Sequence, residues 1–488
     1  MERLRQIRSF LDRFFLSTPF LLALLVSTIF VPIFERELEA TIVYICLISL
    51  LLLLCDDILT VFFPVLLLCT FLTRCYDCYN RFFPYRFWLL PVVVALFLHF
   101  CLYRQKIRVG ETFPGLCLVS IAVTLSVWRN GLGEIKWISL YYLLGLGFGL
   151  LAAYLLLRSQ LKAEHPYDVK QKFAVIMTLM GVFVCVCIVV VYAKGWRYWK
   201  RGGFLSSNNL ATLLLMAMPF PTMLSLKKKL WLPFLFLFFA GTVMSSSRGG
   251  ALVGAVELLL CLFYLFFRDR KYRYYYLSSV AVFVVVGLIA FSYVARYVWD
   301  YAEFSSADSL GERVRMMYDH VKNDPRARFL SRMKTDFLSD PMFGRGLFYR
   351  GNEDIHHPKT GAMNWYHIWF AQVIGSMGIV GIVAYGYQLA ERIVVVVRHG
   401  SAENRALFLS YVGLFLMSQV NPGEFCPFPY AMLAVITFIF IEDGPLFRKT
   451  TKSAGNDGIA TDDPNAVEES ICGVLDHSTE NTIRKNAK

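Results

Sequence analysis

The segment FAVIMTLMGVFVCVCIVVVYA, residues 173–193, carries no charged residue along its whole length. An α-helix rises about 1.5 Å per residue, so a run of this length covers the roughly 30 Å of hydrocarbon in a bilayer. Within lipid, a helix satisfies its own backbone hydrogen bonds along such a run, whereas an open strand does not. This one stretch therefore predicts a transmembrane α-helix.

The same pattern recurs along most of the chain. Of 488 residues, 57% are hydrophobic and 17% are charged, whereas soluble domains carry about 25% charged residues. Apolar runs repeat from Pro19 to Ile441, and their number predicts about 12–14 transmembrane helices. The first run follows four arginines and lacks a small-residue cleavage site, so it indicates a retained helix. We expect an all-α, polytopic integral membrane protein with a helical loop on its outer face.

Lysine and arginine in the short connections indicate the orientation. If the N-terminus is cytoplasmic, the basic segments RQKIR (104–108), KKK (227–229) and RDRKYR (268–273) all fall on the cytoplasmic side. We therefore expect both termini in the cytoplasm. The net charge of +13 is then largely a topology signal with affinity for anionic lipid headgroups, and it requires no nucleic-acid partner.

The chain divides into three regions by composition. Residues 1–193 are expected to form N-terminal transmembrane helices that act as a scaffold, and residues 194–445 are expected to form a second transmembrane region that carries the functional site and includes an outer loop at 296–365. Residues 446–488 are polar and are expected to be a disordered cytoplasmic tail. Cys75 and Cys78 are a lone Cys-x-x-Cys pair, which favours a local disulfide over a metal site.

Several polar segments fall together on the outer side of this topology. SSSRGGAL (245–252) places Arg248 at a helix N-terminus after Ser247, and the preceding loop carries further basic residues. Arginine's planar fork suits phosphate oxygens, and serine hydroxyls and helix-terminal amides add donors for the same anion. The alternative is that Arg248 snorkels to the interface and anchors the helix turn. The residues alone leave both interpretations open.

His367 is predicted to lie at the outer end of a long apolar helix. Gly378 follows eleven residues later, about three helical turns, so both residues would share one face of the helix. Gly375 and Gly381 lie near that face and would admit another helix or a lipid chain. A histidine at the top of such a groove has a pKa suited to general base catalysis. The alternative is an interfacial histidine between two tryptophans.

Four segments, in order, resemble the O-antigen ligase and polymerase superfamily of bacterial membrane glycosyltransferases. They are RGGFLSSNNLA (201–211), SSSRGGAL (245–252), SRMKTDFLSDPMFGRG (331–346) and HIWFAQVIGSMGIVG (367–381). Together they cover about residues 200–385, and the first 190 residues match the superfamily only in being helical. One position departs from the family pattern, because Ile368 stands where a polar residue usually follows the histidine.

The resemblance implies transfer of a glycan from undecaprenyl diphosphate to an acceptor hydroxyl, on lipid A core or another glycan. The reaction would take place at the outer face of the bacterial inner membrane, with inversion and without a metal or other cofactor. By this resemblance Arg248 grips the donor diphosphate, Arg328 or Arg326 assists, and His367 deprotonates the acceptor. The expected substrate-binding residues are Arg201, Asn209, Ser247, Arg313, Arg315 and Asn364, of which Arg313 and Arg315 are also rivals for the assisting role.

Three alternatives to a ligase remain. A repeat-unit polymerase of the same superfamily would use the same donor and base, although the compact outer loop and Ser-Arg-Gly turn favour a ligase. A transporter of lipid-linked oligosaccharide should show buried carboxylates, interrupted helices or internal repeats, and the sequence shows no evident repeat. A non-enzymatic scaffold would have no use for Arg248 and His367 at these positions.

Overall fold

The computed structural model describes residues 2–72, 87–103, 106–129, 143–161, 167–194, 207–245, 247–294, 326–347, 366–421 and 423–442. The described residues belong to one compact unit of the chain. The predicted tail from residue 446 and the Cys75–Cys78 pair lie outside the described residues. Throughout the described part the regular elements are helices, so the predicted all-α class is confirmed.

The α-helices of the described ranges are numbered here in chain order. They are α1 (Glu2–Phe15), α2 (Thr18–Phe34), α3 (Glu37–Leu54), α4 (Phe62–Leu72), α5 (Leu90–Leu102), α6 (Phe113–Arg129), α7 (Leu150–Gln160), α8 (Val169–Lys194), α9 (Ser207–Ala217), α10 (Pro219–Ser225), α11 (Leu232–Met244), α12 (Arg248–Arg268), α13 (Arg273–Val294), α14 (Arg326–Ser339), α15 (Trp369–Arg398), α16 (Ala402–Ser418) and α17 (Met432–Glu442).

Within the described ranges, five helices are long and apolar enough to cross a membrane, and the bent pair α1–α2 makes a sixth. Shorter apolar helices of 10–17 residues accompany them. The prediction of a polytopic membrane protein is confirmed, but several of the expected continuous runs are divided. The run at 208–226, for example, becomes α9 and α10, because Pro219 begins a new helix and cannot donate a backbone hydrogen bond.

Helix α8 stands at the centre of the bundle. The most apolar window of this helix is 83% buried, and the helix packs on α2, α4 and α9–α11. Phe173 makes ring contacts with Phe220 and Phe440 at centroid distances of 5.3 and 4.7 Å. At Gly181 a Cβ atom would lie 2.4 Å from the ring of Phe238, so this glycine lets α11 approach closely. Residues 173–193 therefore lie at the core of the fold.

Polar connections gather at one end of the bundle, which we call the charged end. Lys227, after α10, pairs with Asp168 before α8 at 2.8 Å and with Glu403 in α16 at 3.2 Å. Tyr167 donates to Asp57, in the connection after α3. Lys227 belongs to the basic segment 227–229, which is expected in the cytoplasm. Which compartment this end faces stays a prediction.

At the charged end, a buried cluster connects the last described helix to the first half of the chain. Glu442, the final residue of α17, accepts hydrogen bonds from the Thr112 amide at 2.7 Å and from the Tyr154 hydroxyl at 2.8 Å. Its carboxylate also forms an ion pair with Arg158, and both side chains are buried. The start of α6 and the end of α7 are therefore tied to the C-terminal helix.

Candidate functional site

Helix α15 does not run straight. The backbone is non-helical at Gly378, with φ 57° and ψ −147°. The rings of Trp369 and Tyr385 are 5.7 Å apart, although a straight helix would separate their Cα atoms by about 24 Å. A Cβ atom at Gly381 would likewise lie 3.1 Å from the carbonyl oxygen of Val373. The chain therefore turns sharply at Gly378, and residues 369–377 pack back against residues 379–398.

Residues 340–347, here called the glycine loop, fill the break in α15. Two loop amides donate to carbonyls before the break, and two loop carbonyls accept from amides after it. The four pairs are Arg345 to Gly375 (2.9 Å), Gly346 to Ser376 (3.0 Å), Ile379 to Pro341 (2.9 Å) and Val380 to Met342 (3.1 Å). In an unbroken helix the amides of residues 379 and 380 would bond to the carbonyls of 375 and 376. The loop replaces both missing bonds, so these backbone groups stay satisfied.

Helix α6 holds the loop and the break together. The Ser126 hydroxyl donates to the carbonyl of Ser376 at 2.8 Å and accepts from the amide of Leu347 at 2.7 Å. Further along α6, the Gly115 amide donates to the Glu391 carboxylate at 3.1 Å. Since α6 packs along α15 at both points, the position of the glycine loop is fixed from outside the loop as well.

The prediction that His367 and Gly378 share one face of a continuous helix is wrong. Helix α15 begins at Trp369, after the histidine, and it breaks at Gly378. The glycines do permit close approach, as predicted, but the approaching groups are different. Gly375 lies under the ring of Tyr366, and Gly378 faces the glycine loop. Glycine spacing alone fits a continuous helix as well as a folded one, so the sequence pattern could not distinguish them.

The side chain of His367 is exposed, whereas the residues on either side of it in the chain are buried. Its φ is +54°, a conformation that costs a non-glycine residue about 1–3 kcal/mol and that persists where the surroundings determine it. Tyr366 and Ile368 are 5% and 8% exposed and pack in a small apolar cluster with Phe329, while His367 itself is exposed. Ile368 therefore serves as an anchor for the backbone, which accounts for an apolar residue at that position.

The first turn of α14 lies against this histidine. The ring centroid of Phe329 is 5.5 Å from that of His367. Helix α14 begins at Arg326, and Arg328 directly precedes Phe329, so the backbone carrying both arginines passes beside the histidine. The other predicted residues of this side, Arg201, Arg313, Arg315 and Asn364, lie outside the described residues.

The start of α12 forms the second part of the candidate site. Ser247 is buried and caps the helix, accepting from the Gly250 amide at 3.0 Å and donating to Asn208 at 2.7 Å. Arg248 is the first residue of the helix. The backbone carbonyl of Asn209 accepts from Tyr430 at 3.1 Å, and substrate binding by its side chain stays a prediction. Asn208, which sequence reasoning missed, supplies the side-chain contact.

The end of α16 lies between these two parts. A Cβ atom at Gly249 would be 2.7 Å from Val420, and the ring of Trp369 is 5.3 Å from that of Phe415. Phe415 and Val420 are five residues apart at the C-terminal end of α16. The N-terminal turns of α12 and α15 therefore lie on either side of the C-terminal end of α16. The N-terminal end of α16, which carries Glu403, belongs to the charged end.

Charged side chains that sequence reasoning missed lie inside the bundle. Arg392 and Glu424 are both buried and form an ion pair at 3.2 Å, and Arg392 also lies 4.5 Å from the ring centroid of Tyr411. Glu257 is fully buried in α12, facing Gly413. Charges within apolar runs are the available signal for such residues. A transporter is expected to contain buried carboxylates, and this protein does contain them. This feature therefore no longer argues against transport.

A family model matches the part of the chain that carries this site. Residues 233–386 match the family model described as O-antigen ligase. The matched range contains Ser247, Arg248, α14, the glycine loop and His367, so the resemblance inferred from the sequence is confirmed over that range. Enzymes of this family are of the glycosyltransferase or ligase type. Neither the curated proteins nor the solved structures contain a match to the chain.

Proposed function

We propose that this protein transfers a glycan from undecaprenyl diphosphate to an acceptor hydroxyl at the outer face of a bacterial inner membrane, as an O-antigen ligase. The observation that carries the proposal is the conformation of His367: it is exposed, has a positive φ, and lies in ring contact with Phe329 in the first turn of α14. A side chain that serves only packing has no need for a strained backbone that directs it outward. The acceptor would be lipid A core or another glycan.

In this mechanism an imidazole nitrogen of His367 removes the proton from the acceptor hydroxyl. The hydroxyl oxygen attacks the anomeric carbon of the donor sugar from the side opposite the diphosphate. The bond between the anomeric carbon and the phosphate oxygen breaks, and the diphosphate leaves with that electron pair. The configuration at the anomeric carbon is inverted. General base catalysis of this kind contributes about 10²–10⁴ to a rate.

The leaving diphosphate gains negative charge in the transition state, and fixed cations stabilise it. We assign Arg248 to this role, with support from the first amides of α12, and the Ser247 hydroxyl holds that turn through its bonds to Asn208 and Gly250. Arg328 or Arg326 would approach the same diphosphate from α14. Because these arginines belong to different helices, the donor would be held at two points, and its anomeric carbon would face His367.

Replacement of His367 by glycine separates the catalytic role from a structural one. Glycine adopts positive φ without strain, so His367→Gly should fold at least as well as the wild type. If His367 is the base, this variant loses transfer in proteoliposomes that contain a lipid-diphosphate-linked glycan and an acceptor. If the histidine only anchors the interface, the variant retains wild-type transfer, and the proposal is wrong.

Deletion in the host distinguishes a ligase from a polymerase. A ligase deletion leaves long glycan chains on the undecaprenyl diphosphate carrier and none on the final acceptor. A polymerase deletion leaves single repeat units on the carrier, with short products still reaching the surface. The size of the carrier-linked glycan, measured by mass spectrometry after lipid extraction, therefore decides between the two reactions.

A further inference from the structure

We infer that Asp336 of α14 is a positioning residue, which acts through Tyr366 to fix the orientation of His367. The inference rests on the proposed role of His367 as the base. Asp336 is 1% exposed, and it accepts a hydrogen bond from the Tyr366 hydroxyl. Tyr366 directly precedes His367 in the chain.

Tyr366 is fixed at three points. Besides the contact with Asp336, its amide donates to the Gln372 side-chain oxygen at 3.1 Å. Its ring lies so close to Gly375 that a Cβ atom there would be 2.6 Å from the ring. Burial and the neighbouring carboxylate raise the pKa of Tyr366, so its hydroxyl stays protonated and donates. These constraints hold the backbone at the point where it enters the strained conformation of His367.

The carboxylate is itself held in place by two arginines. Arg332 Nε lies 3.2 Å from Asp336 Oδ1, and Arg345 Nε lies 3.9 Å from the same oxygen. Arg345 belongs to the glycine loop, so the carboxylate joins α14, that loop and the residue before the histidine. Ion pairing with these arginines offsets part of the cost of burying the carboxylate.

One face of α14 contacts both Tyr366 and the histidine. Asp336 and Phe329 are seven residues apart, about two helical turns, and therefore lie on the same side of the helix. Phe329 stacks on His367 while Asp336 holds Tyr366. A loosened contact at Asp336 would let the histidine move relative to the turn that carries Arg326 and Arg328. A displacement of about 1 Å can cost a factor of about 100 in rate.

The test uses Tyr366→Phe and Asp336→Asn in the full-length protein reconstituted in proteoliposomes. Each single variant should lower kcat by about 10- to 100-fold while changing the donor KM little. The double variant should be no slower than the slower single variant, because both remove one contact. Tyr387→Phe, an exposed tyrosine of α15, is the matched control and should keep the wild-type kcat. Additive losses in the double variant, or a wild-type kcat in Tyr366→Phe, would overturn the inference.

A second measurement does not depend on activity. The rate at which diethyl pyrocarbonate modifies His367, followed by peptide mass spectrometry, reports the environment of its imidazole. Tyr366→Phe should change this rate relative to Tyr387→Phe, and an unchanged rate would overturn the positioning role even if Asp336→Asn fails to fold. Wild-type transfer in His367→Gly combined with a changed modification rate would instead refute the proposed function and leave the contact itself established.

Discussion

Gly344 and Gly378 lie on opposite sides of one backbone contact, and each has a positive φ, 64° and 57° respectively. A Cβ atom on Gly344 would lie 2.6 Å from the Ser376 backbone, and one on Gly378 would lie 2.4 Å from the Pro341 carbonyl oxygen. Both positions therefore require glycine for conformation and for space. The pairing joins the loop that follows α14 to the break in α15, and thereby joins the helix of Arg328 to the segment of His367.

Alanine at either glycine should destabilise the protein. We expect Gly344→Ala and Gly378→Ala each to cost about 1–3 kcal/mol, since the left-handed backbone is strained for alanine. Gly386 of α15 is the control, because a Cβ atom there meets nothing within 4 Å. Thermal unfolding in detergent checks the prediction. Equal midpoints for Gly378→Ala and Gly386→Ala would show that the break tolerates a side chain.

Arg248 should not be replaceable by lysine without loss. Arg248→Ala is expected to abolish glycan transfer while the protein inserts normally, and Arg248→Lys should retain a small fraction of the activity. Lysine keeps the charge but lacks the planar fork that binds two phosphate oxygens. Arg36→Lys is the control, because Arg36 forms an exposed pair with Glu39 far from the site in sequence. Full activity in Arg248→Ala would remove this residue from the mechanism.

The cap of α12 should contribute to stability and to donor binding. Ser247→Ala removes an N-cap, which typically costs about 1 kcal/mol, and it also leaves Asn208 without its hydroxyl partner. We expect Ser247→Ala and Asn208→Ala to be non-additive in thermal unfolding because they share one hydrogen bond. Ser278→Ala, at an exposed serine that bonds its own helix, provides the baseline. Strict additivity would mean that the hydrogen bond contributes nothing.

The buried pair at the charged end should affect stability without affecting the chemistry. Glu442→Gln leaves Arg158 buried beside a neutral group, and breaking a buried pair in this way costs about 3–5 kcal/mol. Glu39→Gln breaks an exposed pair and should cost about 0–1 kcal/mol. Transfer per folded molecule should match the wild type in both variants. A kcat that falls in Glu442→Gln alone would indicate coupling between the two ends of the bundle.

The class of fold was accessible from the sequence because transmembrane helices are long, apolar and locally determined. Ser247 and Arg248 were equally accessible, since a serine before a glycine-rich helix start is a local capping signal. The bond between Ser247 and Asn208 was not, because neighbouring residues in a first turn differ only in helical phase. That phase depends on where α12 lies.

The fold-back of α15 could not be predicted from its own residues. Its glycines fit a continuous helix, and the hydrogen bonds that stabilise the break come from a loop about thirty residues earlier. The contact of Asp336 could not be predicted for the same reason, since its partner Tyr366 is thirty residues away. The buried Glu257 was different, because it is the one charged residue within the apolar stretch 250–267 and is therefore visible in the sequence.

The fixed ends of one stretch of chain have an evolutionary consequence. Leu347 is bound by Ser126, and Tyr366 is bound by Asp336 and Gln372, so the chain is anchored on both sides of residues 348–365. Substitutions, insertions or deletions between these anchors need not alter how His367 meets α14. Related chains could therefore differ in length and sequence over residues 348–365 while the backbone at His367 stays the same.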